Sequence, residues 1–151
     1  MSNRSGARRL VLKIGTSSLT YPNGKLNIRC IEQLVRVISD LHNRGHELVL
    51  VSSGAVGVGL NKLGITERPQ DMRMKQAAAA VGQCELMHIY DKMFLEYGVT
   101  VAQVLLTRHN VASKEHYANV EGTFRALLSA GVVPIVNEND TVSVEEIEFG
   151  D

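Results

Sequence analysis

The sequence has no excess charge of either sign. Sixteen lysines and arginines are balanced by sixteen aspartates and glutamates over 151 residues, so the formal net charge is zero. A chain without a net field lacks the long-range attraction that draws proteins to nucleic acids or to anionic membranes. We therefore expect neither a nucleic acid nor a membrane as a partner.

Long apolar runs and cysteine pairs are also absent. No stretch approaches the roughly 18 uncharged apolar residues that a membrane helix needs, and Lys13 interrupts the first apolar run too early for a signal peptide. The two cysteines, Cys30 and Cys84, are far apart and form no CxxC pair. This spacing favours reduced, buried thiols over a disulfide framework. These features predict a cytoplasmic protein.

Several catalytic signatures are missing as well. The five histidines show no HExxH or other metal-ligand spacing, so a zinc site is not expected and no metal ligand is assigned. No GxSxG motif or Cys/His arrangement indicates a hydrolase. Neither a P-loop nor a GxGxxG dinucleotide motif is present.

What the sequence does contain is an alternation of strand-like and helix-like segments, with 44% hydrophobic residues to build one core. Apolar runs predict strands at residues 9–14, 48–52, 99–106 and 132–136. Helical periodicity follows Asn27 up to Gly45 and covers about 72–97 and 115–129, the last closed by Gly131. This order predicts an α/β fold: a three-layer α/β/α sandwich whose mainly parallel sheet has helices on both faces.

Some details of this pattern are irregular. Pro134 falls inside the fourth predicted strand, and proline usually sits at a sheet edge or a bulge. Residues 108–114 indicate a loop, and residues 142–144 and 147–149 could form a hairpin. The sequence stops at residue 151, directly after a predicted strand and without a closing helix, so we expect an incomplete domain that is part of a longer protein.

The first chemical motif follows the first strand. Lys13 stands at the strand end, and Gly15, Thr16 and two serines come next. A mobile positive charge beside a turn of small residues suits phosphate. The alternative is an exposed lysine followed by an ordinary loop, and the spacing alone does not decide between them.

The second motif is LVLVSSGAVGVGL, residues 48–60, in which an apolar strand runs directly into serines and glycines. Ser53 can offer a hydroxyl and Gly54 an amide to an anion, because glycine lets the backbone approach a ligand closely. The same glycines could instead make only a turn and tight helix packing.

The third motif is NEND, residues 137–140, after the fourth strand. Such a cluster can bind a ligand ammonium, hold a divalent metal or cap the next element. Asp140 is the sharper candidate. If the ligand is an amino acid, its ammonium needs an anionic acceptor and its carboxylate needs N–H donors, and the third and second motifs supply one of each.

These motifs resemble those of the amino-acid kinase family, within it the kinases that phosphorylate glutamate. The resemblance is carried by five blocks in family order: VLKIGTSSLT (11–20), VSSGAVGVG (51–59), AAVGQ (79–83), QVLLTR (103–108) and VPIVNENDTV (133–142). A mild departure is Ser52, where the family more often has threonine. Residues 1–151 would then be the N-terminal, acceptor-binding part of the kinase domain.

The resemblance implies phosphorylation of the γ-carboxylate of L-glutamate with ATP and Mg²⁺, the first step of proline biosynthesis. Lys13 would be catalytic and would bind the ATP phosphates with Gly15 and Thr16. Glutamate would be held by Ser53, Gly54, Asn137 and Asp140. The resemblance also implies a homo-oligomer, a dimer or tetramer, and L-proline as a possible feedback inhibitor.

The family pattern continues beyond residue 151 with a nucleotide-binding half, and in many members with a PUA domain, and neither occurs in this sequence. Two other functions therefore stay open. The chain could be a non-catalytic module that binds an amino acid, or a kinase that acts on another acceptor in the same family.

Overall fold

The computed structural model describes residues 6–143. Within this span the chain forms four strands and six helices, in the order β1 (Arg9–Ile14), α1 (Thr16–Leu19), α2 (Ile28–Asn43), β2 (Glu47–Ser52), α3 (Ala55–Lys62), α4 (Met72–Leu95), β3 (Val101–Leu106), α5 (Arg108–Ala112), α6 (Lys114–Ser129) and β4 (Val133–Glu138). Each of the four predicted strands is present, with bounds that differ by no more than two residues at either end.

The four strands form one sheet in the order β1-β2-β4-β3, and every pair of neighbours is parallel. Parallel neighbours require crossover connections, and these are almost always right-handed. The crossovers from β1 to β2 and from β2 to β3 run in one direction along the sheet, whereas the crossover from β3 to β4 runs back. Helices α2 and α4 therefore cover one face and α6 the other, which confirms the predicted α/β fold.

The main core lies between the sheet and the α2/α4 layer. Strand residues Leu48, Leu50, Val133 and Ile135 point into it, and each is at most 1% exposed. From α2 and α4 it receives Ile31, Val35, Ile38, Leu86, Tyr90 and Phe94. The opposite face, which α6 covers, is less enclosed, since Val11 on β1 remains 66% exposed.

Helix α2 follows the sequence prediction closely. The side chain of Asn27 accepts a hydrogen bond from the backbone N–H of Cys30, which is the expected N-cap interaction. Gly45, just beyond the helix end, adopts a φ of 90°, a conformation that glycine reaches without steric cost. The helix thus begins and ends where its sequence signals place it.

Pro134 was expected at a sheet edge or a bulge, but β4 lies inside the sheet, between β2 and β3. The backbone N–H of Val133 donates to the carbonyl of Thr100, on the β3 side. Successive N–H groups along a strand face opposite sides, so the position of Pro134 faces β2. Pairing between β2 and β4 begins only at Ile135, opposite Leu50, so no ladder donor is needed at the proline.

The sequence analysis missed two other features and misjudged a third. Helix α3 was not predicted, because its sequence AVGVGLNK carries two glycines that lower helix propensity. The loop expected over 108–114 contains the short helix α5, which is closed at its start by a capping box between Thr107 and Asn110. Cys30 is half-buried as a free thiol, but Cys84 is exposed rather than buried.

The predicted hairpin over residues 142–149 lies largely outside the described residues. Among the helices of residues 6–143, none combines the length and the apolar character needed to cross a lipid bilayer.

Candidate functional site

The three motifs singled out in the sequence follow β1, β2 and β4, which are neighbours in the sheet. Because parallel strands place their carboxyl ends at the same edge, the three motifs meet there. This edge is where ligands of open α/β sheets bind. The fold therefore gathers the candidate residues without any further assumption about their roles.

Ser53 joins the first two of these segments. It is only 3% exposed, and its hydroxyl donates to the carbonyl oxygen of Ile14, with 3.1 Å between the oxygens. The hydroxyl of Thr16 donates in turn to Oγ of Ser53 over 3.4 Å. The side chain of Ser53 thus holds the β1–α1 segment against the β2–α3 turn.

Ser52 is tied down on the core side of the same turn. Its hydroxyl lies 3.1 Å from the hydroxyl of Tyr90 on α4, and both side chains are buried. Burial raises the pKa of Tyr90 to about 12, because the phenolate would lose its hydration there. The hydrogen bond to Ser52 acts in the opposite direction and lowers this pKa. At neutral pH the phenol is therefore protonated and can donate to Ser52.

Gly54 turns the chain into α3. Its φ of 90° lies in the left-handed region, and no side chain caps the helix start. The first intrahelical bond at this end runs from the N–H of Val58 to the carbonyl of Gly54, so the N–H groups of residues 55–57 have no partner within the helix. These N–H groups and the positive end of the helix dipole favour an anion.

Two glycines hold α3 unusually close to α4. A Cβ atom added to Gly82 would lie 1.8 Å from the carbonyl oxygen of Ala55, and one added to Gly59 would lie 1.7 Å from that of Ala78. Only glycine permits this approach of one backbone to another. The crossing fixes the position of Ala55, the first residue of α3, and thereby the N–H groups at its start.

A cavity of about 740 Å³ opens at this helix start. This is within the range of small-molecule sites, roughly 300–1,000 Å³. The wall is formed by Thr16, by turn residues 22–24, by residues 54–57, Leu60 and Asn61 of the α3 segment, by residues 64–66 and Arg68, and by Asp140.

The charges on this wall are few and of opposite sign. Among the described lining residues, Asp140 is the acidic one and Arg68 the basic one. Asp140 is 7% exposed, so its carboxylate would meet a ligand in a largely desolvated setting, where charge pairing is stronger than in water. The cavity therefore combines the carboxylate of Asp140, which can bind a cation, the guanidinium of Arg68, which can bind an anion, and helix N–H groups that have no partner within α3.

Asn137 is placed differently. It does not line the cavity; its amide Nδ2 donates to Oε1 of Gln83 over 2.9 Å, and its Oδ1 accepts from the N–H of Glu138. The side chain is 4% exposed. In this structure Asn137 contacts protein groups at the end of β4 rather than the cavity space.

Lys13 and Gly15 also lie outside the cavity wall. Lys13 follows Leu12 on β1, so it projects on the sheet face opposite the main core, where it is exposed. Gly15 is the N-cap residue of α1 and connects Lys13 to Thr16. The structure thus brings Thr16, Gly54 and Asp140 to the cavity, with Ser53 directly behind the wall and Lys13 on a separate face of the same edge.

Within residues 6–143, three or more histidine, cysteine, aspartate or glutamate side chains do not converge anywhere in a way that could hold a metal ion.

The sequence analysis missed Asn23, Asn61 and Arg68, which complete the cavity wall. They lie in a turn, on the outer side of a helix and in a loop, and no spacing rule connects them. The turn around Gly24 approaches α3 through a hydrogen bond from Asn61 Nδ2 to the carbonyl of Asn23. The turn signal at residues 22–24, Pro-Asn-Gly, predicts a bend, but not the element against which that bend packs.

Comparison with known proteins assigns the chain to a family. The model of the amino acid kinase family matches residues 8–151. The chain belongs to the amino acid kinase family. This confirms the resemblance found in the sequence, and the parallel sheet with helices on both faces agrees with it.

Three similar proteins carry the same name, glutamate 5-kinase. A glutamate 5-kinase of Clostridium acetobutylicum is 56% identical over 147 residues, which are 97% of this chain and 55% of that protein. One from Moorella thermoacetica is 58% identical over 147 residues, 97% of this chain and 39% of that protein. One from Clostridium perfringens is 56% identical, over 96% of this chain and 55% of that protein. The chain thus spans about half or less of the length of these relatives.

Proposed function

We propose that this chain forms the acceptor-binding part of a glutamate 5-kinase, which transfers the terminal phosphoryl group of ATP to the γ-carboxylate of L-glutamate. The observation that carries the proposal is the cavity in which the start of α3 faces Asp140. The names of the relatives support glutamate as the acceptor. The product would be γ-glutamyl phosphate, the first intermediate of proline biosynthesis.

Glutamate has two carboxylates and one ammonium group, and the site offers a complement for each. The ammonium would pair with the carboxylate of Asp140, at the buried side of the cavity. The α-carboxylate would accept from the unpaired N–H groups that follow Gly54 at the start of α3. Ser53 and Asn137 would act from behind the wall, Ser53 by joining the two turns and Asn137 by holding the end of β4.

The γ-carboxylate of glutamate would point toward the carboxyl end of β1, where Lys13, Gly15 and Thr16 lie. ATP supplies the phosphoryl group that is transferred. The exposed ammonium of Lys13 would pair with phosphate oxygens and stabilise negative charge as the phosphoryl group moves. The open space around Gly15, where an added Cβ would meet nothing within 4 Å, leaves room for phosphates beside this turn.

This chemistry needs no general base. A γ-carboxylate with a pKa of about 4.3 is already ionised at neutral pH and can attack directly. Catalysis then depends on holding the acceptor and the phosphates in line, and on charge stabilisation. Mg²⁺ would be carried mainly by the phosphates of the nucleotide, as is usual for this ion in phosphoryl-transfer sites.

Four further properties belong to the same proposal. The spacing of the two cysteines, which favours reduced thiols, would suit a cytoplasmic enzyme. As the family resemblance implies, the protein would be a homodimer or homotetramer, and L-proline would inhibit it by feedback. Neither nucleic acid nor membrane would be a partner of the chain.

The test is Asp140→Asn in the full-length protein that carries this chain. The amide keeps the shape of the side chain but loses its charge, and a charge-assisted hydrogen bond contributes about 1.5–3 kcal/mol. We expect the KM for glutamate to rise roughly 10- to 100-fold, with the KM for ATP within twofold of wild type. Asp91→Asn, at an exposed position on α4, is the matched control and should change neither constant.

The acceptor is checked by comparing turnover of glutamate, aspartate and acetylglutamate. Faster turnover of aspartate or acetylglutamate would identify a kinase for another acceptor. An unchanged glutamate KM in Asp140→Asn would contradict the assigned site. Binding of glutamate without any binding of ATP by the full-length protein would favour a non-catalytic amino-acid-binding module.

A further inference from the structure

Two of the sequence blocks that carry the family resemblance end or begin with a glutamine that the proposed function does not use, Gln83 and Gln103. In the structure these two glutamines form a chain of amides with Asn137. Nδ2 of Asn137 donates to Oε1 of Gln83 over 2.9 Å, and Nε2 of Gln83 donates to Oε1 of Gln103 over 3.0 Å. We call this chain the amide relay. It connects β4, α4 and β3.

The direction of the amide relay is set at one end by the backbone. The N–H of Glu138 can only donate, and it donates to Oδ1 of Asn137 over 2.9 Å. The opposite end of the Asn137 amide must therefore be its NH₂ group, which requires an acceptor. Gln83 supplies that acceptor with Oε1, and its own NH₂ group then faces Gln103.

The exposure of the three side chains increases along the amide relay. Asn137 is 4% exposed, Gln83 is half-buried and Gln103 is exposed. Water can replace a partner lost at Gln103, but it has poor access to the NH₂ group of Asn137. A buried donor without an acceptor is costly, so the bond between Gln83 and Asn137 is the one on which the geometry depends.

This bond lies close to the acceptor site. Asn137 is three residues before Asp140, and the segment between them is held on its other side by the N–H of Asn139, which donates to the carbonyl of Leu106 over 2.7 Å. Loss of the Gln83 acceptor would release Asn137 from α4 while the contact with β3 remained. The end of β4 could then rotate and carry Asp140 away from the start of α3.

We infer that Gln83 is a positioning residue for the acceptor site: it holds Asn137, and thereby Asp140, through a hydrogen-bond acceptor at position 83. The inference rests on the proposed function, since the acceptor is taken to be glutamate. Gln83 itself does not line the cavity at the start of α3, so its influence on glutamate would be indirect.

The kinetic test compares three variants of the full-length protein. Gln83→Met keeps a similar volume but removes the acceptor, and it should raise the KM for glutamate about tenfold without changing the KM for ATP. Gln103→Met makes the same chemical change one step further along the amide relay and should alter the glutamate KM less than threefold. Gln83→Glu keeps an acceptor toward Asn137, while the exposed Gln103 amide can turn to donate, so this variant should also stay within about threefold.

These outcomes separate positioning from a general loss of stability. A parallel rise of both KM values in Gln83→Met, or no rise at all, would overturn the inference. A defect in Gln83→Glu as large as that in Gln83→Met would do the same, because it would show that the acceptor is not what matters at this position.

A second measurement does not depend on activity. With ¹⁵N labelling, the side-chain NH₂ group of Asn137 should exchange with solvent at least tenfold faster in Gln83→Met than in wild type, and at an unchanged rate in Gln103→Met. An equal exchange rate in all three proteins would refute the amide relay. If the wild-type protein turned over no glutamate, the proposed function would fail, while this experiment would still decide whether Gln83 holds Asn137.

Discussion

The crossing of α3 and α4 gives the sharpest prediction about stability, through the substitution Gly82→Ala. The new methyl group would lie 1.8 Å from the carbonyl oxygen of Ala55 and 2.6 Å from the backbone nitrogen of Gly59. Both contacts are with backbone, so no rotation of a side chain can relieve them. The two helices must separate, and the start of α3 must move.

The magnitude follows from two opposing effects. Alanine is favoured over glycine inside a helix by about 1 kcal/mol. Overpacking of a close-packed interior costs typically 1–3 kcal/mol, and a contact with rigid backbone belongs at the upper end of that range. We expect a net loss of about 2 kcal/mol in the free energy of unfolding, or about 4–8 °C in Tm.

The assay is thermal and denaturant unfolding, with Gly122→Ala as the matched control. Gly122 lies inside α6, it is exposed, and an added Cβ there would meet nothing within 4 Å. The same substitution should therefore stabilise the protein by up to about 1 kcal/mol. Gly82→Ala should also raise the KM for glutamate, since α3 forms the cavity wall. A Gly82→Ala protein as stable as wild type would refute the reasoning.

Two further predictions concern Tyr90 and Arg68. The pKa of Tyr90, about 12 in the folded state, exceeds the ordinary tyrosine pKa of about 10, so the contribution of Tyr90 to stability is complete below pH 10 and is lost as the pH rises toward 12. Between pH 9 and pH 11.5, the free energy of unfolding of Tyr90→Phe should fall by roughly 2 kcal/mol less than that of wild type, as measured by denaturant titrations at the two pH values. An equal fall in both proteins would contradict this prediction. Arg68→Gln should raise the glutamate KM about two- to fivefold at low salt and less at 0.5 M salt; Arg36→Gln, on the exposed side of α2, should not.

The strands and their order of appearance were predictable because each is a short apolar run between clear breaks. The long helices were predictable from a periodic apolar face, and α2 also from its cap at Asn27. Local sequence signals, namely apolar runs, periodicity and caps, are therefore sufficient to predict these features. The strand order could not be read in the same way, since it depends on which helices cover which face.

The parts that failed depend on contacts between distant segments. Pro134 lies inside the sheet because the pairing with β2 starts one residue later, which no local rule reveals. The glycines of α3 lower its helix propensity, yet Gly59 permits the crossing with α4 that holds this helix in place. In both cases the residue has a poor propensity for the element in which it lies. It is tolerated because the neighbouring segment does not require the N–H that Pro134 lacks and leaves no room for the Cβ that Gly59 lacks.

The same logic explains why the candidate site could be predicted only in part. The three strand ends were recognisable, because small and polar residues follow apolar runs there. The supporting groups were not, since Gln83 and Tyr90 lie on α4, which the sequence indicates only as a long helix. Yet α4 contacts each part of the site: Gly82 the start of α3, Tyr90 the β2 turn and Gln83 the end of β4.

These three contacts lie on one helix within nine residues, so they are not independent of one another. A rotation or shift of α4 would move the N–H groups of α3 and the carboxylate of Asp140 together. In a reaction that depends on alignment rather than on a base, such a shift would act first on acceptor binding and then on transfer. We therefore expect Gly82→Ala and Gln83→Met to be non-additive in their effect on the glutamate KM, because each displaces the same helix contact surface. Strictly additive effects, measured in the double variant, would mean that α4 holds the two halves of the site separately.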